Sequence, residues 1–458
     1  MGNSSNFRLT RYQPGTFQEL WAIFWPLMLS VMSGTLMVFT DRAILASYSS
    51  DAFNACATAQ PWYWTLDAIF MAIIASSEIV LGRMNGAQHY QRMGPAVWQM
   101  LLLSFSSYLL LIPIIWNVPY LLADTTKTLG APYLQMLLTT LPFELAGCGA
   151  IGSFFIAIGD TKKIPRVIIT TCLLNGILDY WFVFGGLGIP SMGIVGAALG
   201  TNIANIFSFS MFLCFFLQKK RRQTYAIHTY RWSWDVLHQC TQIGLPNSIT
   251  YGISNTGWCL ICQFFALKLL PAQYKAYFVS FTIYNFMFCV TDSIGKATGT
   301  LCSNFIGAHQ RPLLSCVMRQ ATRLISFFAI GFAVFCTLYS TPLIRFLGSK
   351  EFAANDVFIH QTKWFLVWYC GVFMGEALRF CVQGFLFALL KPKAILIAQT
   401  SLYWLLCLIP TYFLLTYGHN QDPAIYTQLL MTENLIVVIG FYLWYRKATW
   451  KQIPSTTT

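Results

Sequence analysis

Twelve predominantly apolar stretches follow one another along the chain, at 17–41, 55–82, 95–122, 131–158, 164–186, 191–217, 236–267, 274–306, 313–344, 354–389, 394–417 and 424–445. Each is close to or above the roughly 20 residues that a helix needs to cross a bilayer core of about 30 Å, and several are long enough to tilt. Apolar positions within them run on continuously instead of alternating. That pattern predicts helices, which satisfy every backbone polar group within the segment, and excludes barrel strands. The predicted fold class is an all-α membrane protein with twelve transmembrane helices.

Composition agrees with burial in lipid. Of 458 residues, 56% are hydrophobic and only 10% charged, against about 25% charged in a soluble domain. The polar, mildly basic start from Met1 to Gln18 carries no short apolar segment with a small-residue cleavage site, so no cleavable signal peptide is expected. Most of the fourteen cysteines fall within the spans, as Cys148, Cys259 and Cys302 do. They read as small apolar fillers rather than as a disulfide or ligand framework.

The net charge of +13 could indicate a nucleic-acid partner, but its distribution explains it otherwise. With the N-terminus placed inside, the termini and even-numbered connections hold twenty Lys and Arg, among them Arg8, Lys162, Lys219, Arg311, Lys391 and Lys451. The odd connections hold six: Arg42, Lys127, Lys268, Lys275, Arg345 and Lys350. The positive-inside rule then places both termini in the cytoplasm. No nucleic-acid partner is expected; the partners are membrane lipid and a small-molecule substrate.

The most hydrophilic connection, 218–234 with its Lys-Lys-Arg-Arg run, lies near the middle and divides the chain into two sets of six spans. The expected organisation is an N-terminal lobe at 1–217, a basic cytoplasmic linker at 218–234 and a C-terminal lobe at 235–458. Both lobes start on the same side, so a repeat would be parallel. Several matches in order support duplication. Pro26 in the first span answers to Pro246 in the seventh, and Gly86-Ala87 after the second to Gly307-Ala308 after the eighth. Glu144, Gly152 and Phe155 are matched by Glu376, Gly384 and Phe387 at identical spacing. Paired halves suit a secondary transporter, whose substrate path runs between them.

Carboxylates at membrane depth cost several kcal/mol (~3 or more) unless paired, protonated or wetted, so they mark candidate sites. Asp292 with Lys296, and Glu376 with Arg379, are spaced to pair on one helical face, and such pairs are either self-neutralised or able to open and close during transport. Glu78 and Arg83 read as a snorkelling interfacial pair. Asp41 and Asp179 lack a basic neighbour deep in their own spans, because Arg42 is adjacent to Asp41 and points elsewhere. Asn175 lies one turn before Asp179, and Thr201 and Asn202 lie on the sixth span. These oxygens suit a proton or a small hard cation rather than a transition metal. The plainer reading is that Asn175, Thr201 and Asn202 join spans by hydrogen bonds. Gly193, Gly196 and Gly200 permit close helix packing. Pro26 and Pro246 free carbonyls and let their helices bend, and a hinge at Pro26 would move Asp41.

From residue 17 to 445 the chain resembles the multidrug and toxic compound extrusion (MATE) transporters of bacterial type. The passages that carry the resemblance are Gly82-Arg-Met-Asn-Gly-Ala87, Ile158-Gly-Asp-Thr-Lys162, and Asn175-Gly-Ile-Leu-Asp-Tyr-Trp-Phe-Val-Phe-Gly-Gly-Leu-Gly-Ile-Pro190 leading into Gly193-Ile-Val-Gly-Ala-Ala198. The resemblance implies two six-helix lobes related by a pseudo-twofold axis along the membrane normal. It implies export of amphipathic organic cations driven by sodium or protons, without an organic cofactor. It also implies a cation site at Asp41, Asn175, Asp179 and Thr201, and a proline, Pro26, whose bending is tied to protonation. Asn255 stands where some members carry an acidic residue on the seventh helix. A C-terminal cation site is thereby weakened, and Asp292, Glu376 and Asn255 remain as C-lobe or substrate contacts. The second copy of the motif after the fourth span is degenerate, reading Leu389-Leu-Lys-Pro-Lys393.

The function expected is secondary antiport across a bacterial inner membrane by a monomer, with no catalytic residues. One alternative is a flippase for lipids or lipid-linked sugars, which basic residues lining the cavity would favour. Another is a channel or non-transporting receptor, against which repeat-related spans argue. An ATP-driven pump is disfavoured, since no phosphate-binding Gly-x-x-x-x-Gly-Lys-Ser/Thr loop occurs.

Overall fold

A computed structural model describes residues 7–122, 124–186, 188–347, 356–417 and 424–447. Lys350 and Lys451 of the charge count, and Leu187 of the long motif, lie outside the described residues. The described chain is helical nearly throughout, and its strand content is an isolated bridge between Gly186 and Ile189.

The first half runs α1 (Phe17–Tyr48), α2 (Ser50–Ala75), α3 (Ser77–Gly86), α4 (Tyr90–Ser106), α5 (Tyr108–Leu121), α6 (Asp124–Glu144), a π-helical turn (Leu145–Ile151), α7 (Gly152–Ala157), α8 (Lys163–Phe184) and α9 (Gly193–Phe216). A short helix, α10 (Lys219–Thr224), lies in the central connection. The second half runs α11 (Trp234–Lys268), α12 (Pro271–Gly307), α13 (Leu313–Leu347), α14 (Asp356–Ala388), α15 (Pro392–Leu402), a second π-helical turn (Tyr403–Leu408), α16 (Ile409–Tyr417) and α17 (Ala424–Arg446). By length and composition ten of the helical runs can cross a membrane. The two more polar helices α11 and α12, of 35 and 37 residues, complete a twelve-span, two-lobe architecture.

Several expected boundaries shift. The first helix continues past Asp41 to Tyr48, because Ala43-Ile44-Leu45-Ala46 favours helix. It stops where Ser49 turns extended and caps α2, its hydroxyl accepting from Asp51 N at 3.2 Å. Asp41 therefore lies about two turns inside the helix end. Glu78 and Arg83, expected at the interface, are both buried in α3.

The contacts divide the chain into two compact units. Unit 1 comprises the described part of Met1–Leu9, Trp25–Gly252 and Gly307–His309; unit 2 comprises Thr10–Phe24, Ile253–Ile306 and the described part of Gln310–Thr458. In unit 1, α9 packs on α6 and α8, and α6 on α2. In unit 2, α14 packs between α13 and α17. Small residues set these approaches. A Cβ at Gly196 would lie 2.6 Å from the Phe182 carbonyl, and one at Gly384 would lie 2.4 Å from that of Gly295.

The repeated loops share a backbone geometry. Gln88 and His309, each following its Gly-Ala pair, have φ of 60° and 59°. His89 N reaches Met84 O at 2.9 Å and Gln310 N reaches Phe305 O at 2.8 Å. These are six-residue Schellman closures, in which a left-handed residue ends the helix. Leu390 (φ 55°) does the same after the tenth span, with Lys391 N bonded to Leu386 O at 3.0 Å. After the fourth span a glycine, Gly159, takes the left-handed conformation, at φ 76°.

The segment 218–234 is docked on unit 1. Arg221 pairs with Asp160 at 2.7 Å and donates to the Phe215 carbonyl at 2.7 Å. Trp98 Nε1 donates to Ile227 O at 2.8 Å and Gln99 Nε2 to Ser233 O at 3.1 Å. Gly94 N bonds Tyr225 O at 3.0 Å, where a Cβ on Gly94 would sit 2.5 Å from that oxygen.

Candidate cation site

The site begins with the softness of α1. Pro26 removes one helical hydrogen bond. Beyond it Ser30, Ser33, Thr35 and Thr40 each donate back to the carbonyl four residues earlier, at 2.8, 2.7, 3.1 and 3.0 Å. Such back-bonding loosens and bends a helix. The boundary between the units falls between Phe24 and Trp25, just before Pro26.

Past that stretch α1 brings Asp41 against α8. The Asp41 and Asp179 carboxyl groups lie within hydrogen-bonding reach of each other, and both residues are buried. Two carboxylates this close, out of water, are compatible only with a shared proton or an intervening cation. Arg42 acts on Asp41 through its field but makes no ion pair with it. Its Nε donates to Gln60 Oε1 at 3.0 Å and its guanidinium lies 5.3 Å from the Trp64 ring centre.

Asn175, fully buried one turn before Asp179, donates through Nδ2 to Asp179 Oδ1 at 3.1 Å and to Thr201 Oγ1 at 3.3 Å. Thr201 donates to Ala197 O at 3.1 Å, which leaves its oxygen lone pairs toward Asn175. Asp41 Oδ1, Asp179 Oδ2 and Asn175 Oδ1 are buried acceptors to which no described protein group donates a hydrogen bond. A hard cation or a proton fits such a set; a soft metal does not. Among the described residues, no group of three or more His, Cys, Asp or Glu is placed to hold a metal ion.

The backbone of α9 fits this acidic pair closely. A Cβ on Gly200 would lie 2.1 Å from Asp179 Oδ1 and 3.1 Å from its nitrogen. Spacing alone reads Gly200 as a packing residue, and its role toward Asp179 is visible only once α8 and α9 are docked. Tyr133 and Cys56 are a further pair that spacing does not reveal. Cys56 Sγ lies 3.5 Å from Tyr133 Oη, and both residues lie within the electrostatic reach of Asp41 and Asp179.

Asn202 stands apart from the set. Its Nδ2 donates to Met136 O at 2.8 Å and Thr139 Oγ1 at 3.3 Å, and its Oδ1 accepts from Thr140 at 2.6 Å, so it ties α9 to α6. In unit 2 Lys296 pairs with Asp292 at 2.8 Å and Arg379 with Glu376 at 3.0 Å. Asn255 is half-buried on α11, and no hydrogen bond among the described residues joins it to Asp292 or Glu376.

The family described as MatE matches residues 26–181 and 249–413, most of both halves. The chain belongs to this family. MATE proteins are membrane transporters of multidrug efflux that use ion coupling, not enzymes. Multidrug resistance protein NorM of Burkholderia vietnamiensis is 25% identical over 329 residues, covering 70% of this chain and 68% of that protein. A relative in Thermotoga maritima, described as a probable multidrug resistance protein NorM, is 23% identical over 346 residues, 73% of each. A solved MOP superfamily transporter from Pyrococcus furiosus superposes with a TM-score of 0.85 over 98% of this chain and 99% of its own, at 15% identity. That structure is described as having a binding pocket of reverse polarity, which suggests a different function for it.

Proposed function

We propose that this chain is a secondary antiporter that exports amphipathic, cationic organic compounds in exchange for sodium or protons entering at Asp41, Asn175, Asp179 and Thr201. The observation that carries this reading is the facing of Asp41 and Asp179, with buried acceptors and no ion pair to either among the described residues. A cation or proton arriving there neutralises the negative charge that favours a cationic substrate. Coupling then requires each ligand to bind the two access states with different affinity. Pro26 and the back-bonded stretch after it supply the conformational element, since bending there displaces Asp41. Asp292, Glu376 and Asn255 remain substrate-contact candidates of the second half. The lobes at 1–217 and 235–458 are the bodies that rock, in a monomer of the bacterial inner membrane with both termini cytoplasmic.

A fold shared with a transporter of reversed pocket polarity does not fix substrate charge, so the flippase reading is the one to test against. The test is transport of a fluorescent organic cation such as ethidium in proteoliposomes under imposed sodium or proton gradients. The parent is expected to move dye under one gradient, and Asp41→Asn and Asp179→Asn to lose at least tenfold of that movement. Dye movement under neither gradient, with transbilayer movement of a labelled lipid instead, overturns the antiport reading. Full coupling in both variants overturns the site.

A further inference from the structure

Tyr63 and Tyr284 stand at the same distance before Gly86-Ala87 and Gly307-Ala308, and Glu144 and Glu376 occupy matching places before Gly152 and Gly384. Within each unit the structure joins these residues in the same way. Tyr63 Oη donates to Glu144 Oε2 at 2.6 Å, and Tyr284 Oη donates to Glu376 Oε2. The duplication has preserved a tyrosine-glutamate hydrogen bond between the second and fourth helices of each half.

The two copies differ three residues after the glutamate. Unit 2 has Arg379, which donates to Glu376 Oε1 at 3.0 Å and through Nε to Asn434 Oδ1 at 2.8 Å, with the buried Glu433 of α17 within the field of both Arg379 and Glu376. Unit 1 has Gly147, whose Cβ would already lie 3.1 Å from the Phe209 Cα, so helix packing leaves no room there for a cationic side chain. The ion pairs among the described residues do not include Glu144. Among the described residues no side-chain cation pairs with its ionised form, and the hydrogen bond it accepts comes from a neutral phenol.

The titratable surroundings are few. From α2 come Tyr63 and Asp67, the latter acting on Tyr63 through its field; Tyr133 on α6 acts on Tyr63 as well. From α5 come Tyr120 and Tyr108, whose hydroxyl is bonded to the Thr139 carbonyl. Asp51 and Cys56 on α2, Lys127 on α6, Cys148 in the π-helical turn, Tyr90 and Arg92 at the start of α4 and Cys214 near the end of α9 are the other titratable groups on α6, its π-helical turn and the helices packed against them, among the described residues.

We propose that the Tyr63–Glu144 pair is a second proton-exchanging site of unit 1, separate from Asp41–Asp179, and that Arg379 has removed the same capacity from Glu376. Glu144 takes a proton from water to become a neutral acid and returns it to water, while Tyr63 keeps its own proton and holds the carboxyl in place. What that proton drives rests on the antiport reading; the exchange itself does not.

Infrared titration of the purified full chain in detergent, following the carbonyl stretch of protonated carboxyl groups, tests this directly. Glu144→Gln is expected to remove one titrating band, and Tyr63→Phe to shift that band. Glu376→Gln is expected to leave the number of titrating bands unchanged. A full set of bands in Glu144→Gln, or a Glu144 band that persists unchanged across the whole pH range, overturns the proposal. Loss of a titrating band in Glu376→Gln overturns the role given to Arg379. Should the liposome assay show no antiport while the Glu144 band titrates, only the antiport reading falls.

Discussion

In unit 1 Glu144 meets a tyrosine, whereas in unit 2 the corresponding Glu376 meets a tyrosine and an arginine. The larger contrast follows the same line. Unit 1 holds two aspartates face to face with unanswered acceptor atoms, and the acids Asp292 and Glu376 of unit 2 are closed by Lys296 and Arg379. A duplicated scaffold can thus keep its helices and loop closures while corresponding acids differ, Glu144 without a cation and Glu376 paired with one, although unit 2 also buries Glu19 and Glu433 outside any ion pair among the described residues. The difference needs few substitutions, because a buried acid changes character when a single cation is placed beside it.

The strongest way to break this comparison is to unlock the second half. Arg379→Gln leaves Glu376 without its cation and is expected to lower stability by about 3–5 kcal/mol, the range for a broken buried pair. Thermal unfolding in detergent measures it, and adding Glu376→Gln is expected to restore most of the loss. If Arg379→Gln alone is neutral, Glu376 is not held as an anion by that arginine.

Next in size is Gly200→Ala, which forces a methyl group into the Asp179 carboxylate. Overpacking of this kind costs about 1–3 kcal/mol of stability, and by displacing the Asp179 carboxyl it is expected to reduce gradient-driven dye transport. The protein should remain folded and monodisperse on gel filtration. Asn202→Ala sharpens the edge of the site. It removes interhelical hydrogen bonds worth about 0.6–2 kcal/mol each, and it is expected to lower the unfolding temperature without altering which ion drives transport. A changed ion preference would move Asn202 into the cation set. The smallest effect is expected at Leu390, a bulky residue held left-handed where Gly159 serves the first half. Leu390→Gly should stabilise by about 1 kcal/mol, read as a small rise in unfolding temperature.

Much of the architecture was legible because membrane burial writes itself into composition. The apolar runs placed all twelve spans, and the recurrence of Pro, Gly-Ala and Glu-Gly-Phe announced the duplication. The spacing of Asn175 and Asp179 foretold one helical face, and the docked helices bring that face to Thr201. Other features depend on the register between helices, which no local period encodes. The Tyr63–Glu144 bond spans 81 positions. The approach of Gly200 to Asp179 needs the docked crossing of α8 and α9. The π-helical turns at Leu145–Ile151 and Tyr403–Leu408 lie inside continuous apolar runs that spell no interruption. The segment 218–234 reads as a basic cytoplasmic linker by composition. Its anchoring depends on Gly94, Trp98 and Gln99, which sit more than a hundred positions earlier.

The division of the two proline-bearing helices between units bears on how the protein is made. Residues Thr10–Phe24 belong with unit 2, where Gly15 lies against Cys316 and Phe24 against Phe328, while α11 up to Gly252 belongs with unit 1. During synthesis the opening of the first helix must therefore wait for α13, and unit 1 stays incomplete until α11 and, after the eighth span, Gly307–His309 have left the ribosome. Neither half is a finished folding unit on the day it is translated; each is sealed by a segment borrowed from the other.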